Sequence, residues 1–97
     1  MRNLEFKGVT VEYDERCVKS YRWQKAMNSN DSGRSTRAVS RLFGGKDEYY
    51  AYLLGAEKPI SYEEWEKLGD DVLDESMDAM GDLLAAVLDD MGQTAKN

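Results

Sequence analysis

The chain contains no histidine, and that absence removes more chemistry than any other feature of the sequence. Histidine is the commonest general base near neutral pH and a principal zinc ligand, so histidine-based triads and mixed His/carboxylate zinc sites are excluded. Cysteine occurs once, at Cys17, which rules out an internal disulfide and a thiolate cluster and leaves a small buried hydrophobe as the plain reading. Apolar runs are short. None approaches the roughly 18 residues that a bilayer span requires, and "MRNLEFKGVTVEY" lacks the apolar segment of a signal peptide. A soluble protein in a reducing, intracellular setting is the expectation.

What is present fits one compact domain. The 97 residues are about two-fifths hydrophobic and carry a net charge of −6, so the core is small and of a size that often leans on a partner. A negative balance argues against nucleic acid as the main ligand. The charge is unevenly spread, however: residues 1–46 hold ten Lys/Arg and five Asp/Glu, whereas residues 47–97 hold three and fourteen. Either the two halves attract each other or each offers a charged face to something else.

Residues 1–13 alternate apolar and polar side chains around Lys7-Gly8, the pattern of a β-hairpin. Asp14 is placed to cap a helix through "ERCVKSYRWQKAM", with Cys17, Val18, Tyr21 and Met27 on its inner side and Trp23 off that seam. "NSNDSGRS" reads as a surface loop. Ser35 or Thr36 then caps a short helix ending at Phe43, Gly44 takes the left-handed position that closes it, and Asp47 caps a further helix that Gly55 closes. These short helices fill residues 14–55. After Pro59, Ser61-Tyr62-Glu63-Glu64 has the spacing of a capping box, with Ile60 and Trp65 suited to a hydrophobic staple. A long acidic amphipathic helix, bent at Gly69, is expected over 61–91 because the apolar stripe keeps phase, with a stop at Gly69 and a new cap at Asp70 as the alternative; a tail follows over 92–97. The predicted fold is thus mostly α: about four helices with a small N-terminal β-hairpin and a long C-terminal amphipathic helix.

Three motifs invite a functional reading. "RLFGGKDE" resembles the end of a phosphate-binding loop, but it lacks the first glycine and puts Asp47 where the magnesium-binding hydroxyl belongs, so it reads as a turn. Asp70, Asp71, Asp74, Glu75, Asp78 and Asp82 fall on one helical face, which could hold calcium or magnesium loosely but reads first as the ordinary solvated side of an amphipathic helix. Trp65, Leu68 and Val72 are assigned to the core. Beyond them Leu73, Met77, Met80, Leu84, Val87 and Met91 recur at steps of four and three, the interval of a helix–helix seam. Its three methionines suit adaptable contacts. Partner binding, self-association and internal packing all remain open for this seam.

The order of features resembles the tail assembly chaperones of long-tailed bacteriophages and prophages. The likeness spans residues 4–80 and rests on "FKGVTVEYD", on Leu42-Phe43-Gly44 followed by Asp47, Glu48, Tyr49 and Tyr50, and on the capped helix from Ser61. It implies a non-enzymatic role in the host bacterial cytoplasm, binding the helical tape-measure protein, keeping it soluble and helping tail-tube subunits assemble. It also implies that a longer, frameshifted form is made in many members. No cofactor or metal is implied. The expected contact surface is Leu73, Met77, Met80, Leu83, Leu84, Val87 and Leu88, facing the tape-measure protein or a second copy of the chain. The alternative is a small nucleic-acid-associated regulator using Arg16, Lys19, Arg22 and Lys25, with phosphates on the cations and bases on Tyr21 and Trp23.

Overall fold

A computed structural model describes residues 1–69 and 77–92, with Met77 described by its backbone alone. The chain opens with an antiparallel hairpin, β1 (Arg2–Phe6) and β2 (Val9–Tyr13), in which Leu4 pairs with Val11 and Phe6 with Val9. Lys7 and Gly8 both have positive φ, 50° and 82°. That is the signature of the tight hairpin turn whose twist matches its strands. Val11 and Tyr13 point inward and are fully buried.

Helices follow as α1 (Glu15–Val18), α2 (Tyr21–Met27), α3 (Ser32–Leu42), α4 (Asp47–Gly55), α5 (Tyr62–Leu68) and α6 (Met77–Asp90). The architecture is mostly helical, as expected, with six helices among the described residues instead of about four. One extra helix arises at Ser20, whose hydroxyl accepts from the Trp23 amide and starts α2 afresh. This break resets the helical phase. Tyr21, expected in the core, is instead 77% exposed, while Trp23 turns inward and donates its indole N–H to the Ala38 carbonyl at 2.9 Å.

The second change is at Gly69. Its φ of 68° is a left-handed value, so α5 stops there and the continuous helix expected over 61–91 is interrupted. Leu68, assigned to the core, is 42% exposed. Val72 and the carboxylates Asp70, Asp71, Asp74 and Glu75 lie outside the described residues.

Local signals elsewhere explain the remaining boundaries. Asp31, rather than Ser35 or Thr36, caps α3 by accepting from the amides of Gly33 and Arg34, so half of the expected loop is helix. Gly44 and Gly45 end α3: the Gly45 amide reaches the Ser40 carbonyl at 2.8 Å and the Gly44 amide reaches Arg41 at 3.2 Å. These two bonds form a Schellman motif, the stop between helices that the glycine pair suggested. The start of α4 differs, since Lys46 occupies the cap and Asp47 makes no capping bond. Gly55 is the last helical residue and Ala56 closes α4 in an extended conformation. The capping box at Ser61 forms as expected, with Ser61 and Glu64 exchanging both bonds.

The core is one cluster of Val11, Tyr13, Cys17, Val18, Leu42, Phe43, Tyr50, Leu83 and Val87. Helix α6 is pinned over the hairpin at its far end, where Tyr13 Oη and Arg2 Nε both donate to Asp90 Oδ2. Helix α5 is held to α4 by rings: Tyr49 meets Tyr62 and Trp65 at centroid distances of 5.3 and 5.9 Å, and its hydroxyl donates to the Ile60 carbonyl.

Candidate interaction site around Trp23

Two concave surfaces meet at Trp23. On one side α1, α2 and α3 enclose a cleft of about 720 Å³ lined by Arg16, Arg22, Arg34, Arg37 and Arg41, with Asp14 as the one acidic residue in its wall among the described residues. The α3 arginines follow steps of three and four, which puts them along one side of that helix over roughly 10 Å at 1.5 Å per residue. Trp23 crosslinks the walls through its bond to Ala38. Ser35 adds a second tie, its single hydroxyl proton shared between the Ala26 and Ser29 carbonyls.

The electrostatics of the cleft are one-sided. Asp14 receives a forked pair of bonds from Arg16, Nε to Oδ1 at 3.0 Å and Nη2 to Oδ2 at 2.8 Å. That fork holds the Asp14 carboxyl down at about 2. Among the described residues, Arg22, Arg34, Arg37 and Arg41 make no ion pair. Cys17 lies at the cleft with 4% of its surface exposed. Burial pushes its thiol pKa up, with Asp14 adding to the shift and Arg41 opposing it, so the thiol is no activated nucleophile at neutral pH.

On the other side of Trp23, α2, α3 and α6 leave a groove of about 220 Å³ whose apolar wall is Trp23, Met27, Leu42, Leu84, Val87 and Leu88. Three of the expected contact residues, Leu84, Val87 and Leu88, therefore share one groove. Leu83 does not join them: it is fully buried in the core and is unavailable as a surface. Val87 is also fully buried and forms the floor of the groove. Met80 is half-buried against the core. The Met77 side chain and all of Leu73 are outside the described residues. Among the described residues, part of the expected surplus stripe along α6 is thus absorbed, because the hairpin and α4 cover one side of it. Among the described residues, the seam between α6 and α2 stays open.

The four cations of the alternative reading are split in the same way. Arg16 and Arg22 line the cleft, whereas Lys19 and Lys25 are exposed outside its lining, and Lys25 sits 5.7 Å from the Tyr21 ring. Arg34, Arg37 and Arg41 complete the cleft, and no sequence motif marks them as a site. Their spacing was readable, but their pairing with α1 and α2 was not.

Among the described residues, no group of three or more Cys, Asp or Glu side chains is placed to hold a metal ion. No helix there is long and apolar enough to cross a membrane. Comparison of the chain with protein-family models, with curated proteins and with solved structures gives no match in any of the three.

Proposed function

We propose that this protein is a non-enzymatic binding module that holds an amphipathic helical segment of a protein partner, in the manner of the phage tail assembly chaperones its sequence resembles. The observation that carries the proposal is the apolar groove between α2 and α6, where Trp23, Met27, Leu84 and Leu88 surround space for apolar side chains of a docked helix. Helix-in-groove recognition needs such a surface and no catalytic group. Methionine and leucine walls adapt to imperfectly matched side chains, which suits a partner that presents many similar turns of helix. The partner on this reading is the tape-measure protein in the host bacterial cytoplasm, with the tail-tube protein recruited to the same assembly.

Co-expression tests it. The tape-measure protein encoded by the same phage or prophage should stay soluble and co-purify with the wild-type chain. Met27→Gln and Leu84→Gln should lose the complex while their own helical circular dichroism persists. A tape-measure protein that sediments in the presence of wild-type chain, or that is held equally well by both variants, overturns the proposal.

A further inference from the structure

The cleft and the groove share one wall, Trp23. A docked helix is about 10–12 Å wide with its side chains, enough to lie across one indole and reach both sides. We infer that the arginine cleft binds carboxylates carried on the same helix whose apolar face fills the groove. The partner segment is then an acidic amphipathic helix, with Glu or Asp along one flank of its apolar stripe. This inference rests on the groove reading above and narrows it.

Carboxylate is the anion favoured by the cleft's own contents. Asp14 already sits at the rim in a two-bonded fork with Arg16, the geometry in which a planar guanidinium recognises a planar carboxylate. Arg22, Arg34, Arg37 and Arg41 present the same chemistry without an ion-pair partner among the described residues. A nucleic acid would use these cations too, but it has no use for the adjoining aliphatic wall of Met27, Leu84 and Leu88. The aromatic ring at the cleft is also committed, since Trp23 is half-buried and bonded to Ala38. The strongly negative second half of the chain further disfavours a long polyanion, whereas a helix with a few carboxylates on one flank meets only the local field.

Fluorescence anisotropy with labelled peptides of about 18 residues, roughly 27 Å as a helix, separates the cleft from the groove. Four amphipathic peptides are compared: Leu face with Glu flank, Leu face with Gln flank, Leu face with Lys flank, and Ala face with Glu flank. A single-stranded thymidine oligonucleotide is the fifth probe. The Leu/Glu peptide should bind about tenfold or more tighter than Leu/Gln, the worth of one or two charge-assisted bonds, and Leu/Lys should bind weakest. Arg34→Gln combined with Arg37→Gln, both exposed positions, should erase the Glu-over-Gln preference and leave Leu/Gln affinity unchanged. Equal affinity for Leu/Glu and Leu/Gln overturns the inference while the groove survives. Equal affinity for Leu/Glu and Ala/Glu removes the groove, and with it the single helix spanning both sides. Failure of every peptide to bind overturns both, and an oligonucleotide that binds tighter than Leu/Glu at physiological salt makes phosphate the ligand instead.

Discussion

Leu83→Ala tests whether α6 belongs to the cooperative core or is an applied strap. Leu83 has no exposed surface and packs in the cluster that contains Val11, Tyr13, Tyr50 and Val87. The substitution deletes three carbons, worth about 2.4 kcal/mol of transfer free energy at roughly 0.8 kcal/mol each. The cavity left behind raises the expected loss to about 3–5 kcal/mol. A domain of this length has on the order of 5–15 kcal/mol to lose. Urea unfolding followed by circular dichroism should therefore show the midpoint falling by about 2 M or more, given a slope of about 1–1.5 kcal/mol per molar for a small protein. Leu68→Ala is the control, since that side chain is 42% exposed at the end of α5 and should cost less than about 1 kcal/mol. A Leu83→Ala loss below about 1 kcal/mol at unchanged slope would refute the reasoning. Helix α6 would then lie outside the unit that unfolds together.

Gly69→Ala should destabilise even though alanine is the better helix former, because φ is 68° there. A thermal melt should drop by several degrees, at about 4–8 °C per kcal/mol for a domain of this size, and a rise would mean that α5 continues through this position. Asp31→Ala removes the acceptor for two amides at the start of α3. A loss of about 1 kcal/mol is expected in urea unfolding. Acid should weaken the fold through Asp90, whose pKa is lowered by its bond from Tyr13 and then by Arg2. A depressed folded pKa means that this contribution is complete above the unfolded carboxylate value near ~4 and is lost as pH falls through the folded one. Asp90→Asn should accordingly flatten the fall of the urea midpoint below about pH 4, and identical slopes in wild type and variant would remove Asp90 from the account.

The elements that were legible in the sequence are those specified by their own few residues. The hairpin turn at Lys7-Gly8, the Asp14 cap, the glycine pair and the Ser61 capping box all form as read. Boundaries went astray where a polar residue outranked an unbroken-looking pattern. Ser20 sits inside an acceptable helical period, yet its hydroxyl caps α2 and rotates everything after it, exchanging the roles of Tyr21 and Trp23. The first turn of α3 contains no apolar residue to announce it. It is held by the Asp31 side chain and by Ser35 reaching back to α2. Along α6 the period correctly marked an apolar stripe, but periodicity cannot say which residues of a stripe the rest of the chain will cover. Here Leu83 joins the core cluster with Val11, Tyr13 and Tyr50, whereas Leu84 and Leu88 line the open groove.

The arginine cleft is harder to read because no single helix contains it, and its energetics separate folding from binding. Four guanidinium groups without an ion-pair partner among the described residues stand around one cavity. Like charges at such separations repel, weakly where water screens them, so the isolated chain gains nothing from holding them together. Arg34→Gln with Arg37→Gln should therefore leave stability within about 0.5 kcal/mol of wild type or raise it slightly, as exposed substitutions without a lost partner do. Urea midpoints measured at low and at moderate salt check this, and any stabilisation should be larger at low salt, where repulsion is least screened. A loss above about 1 kcal/mol would mean that these arginines brace α3 against its neighbours. A neutral or stabilising result would show that folding does not depend on gathering them, which the proposed role of the cleft as an anion site requires.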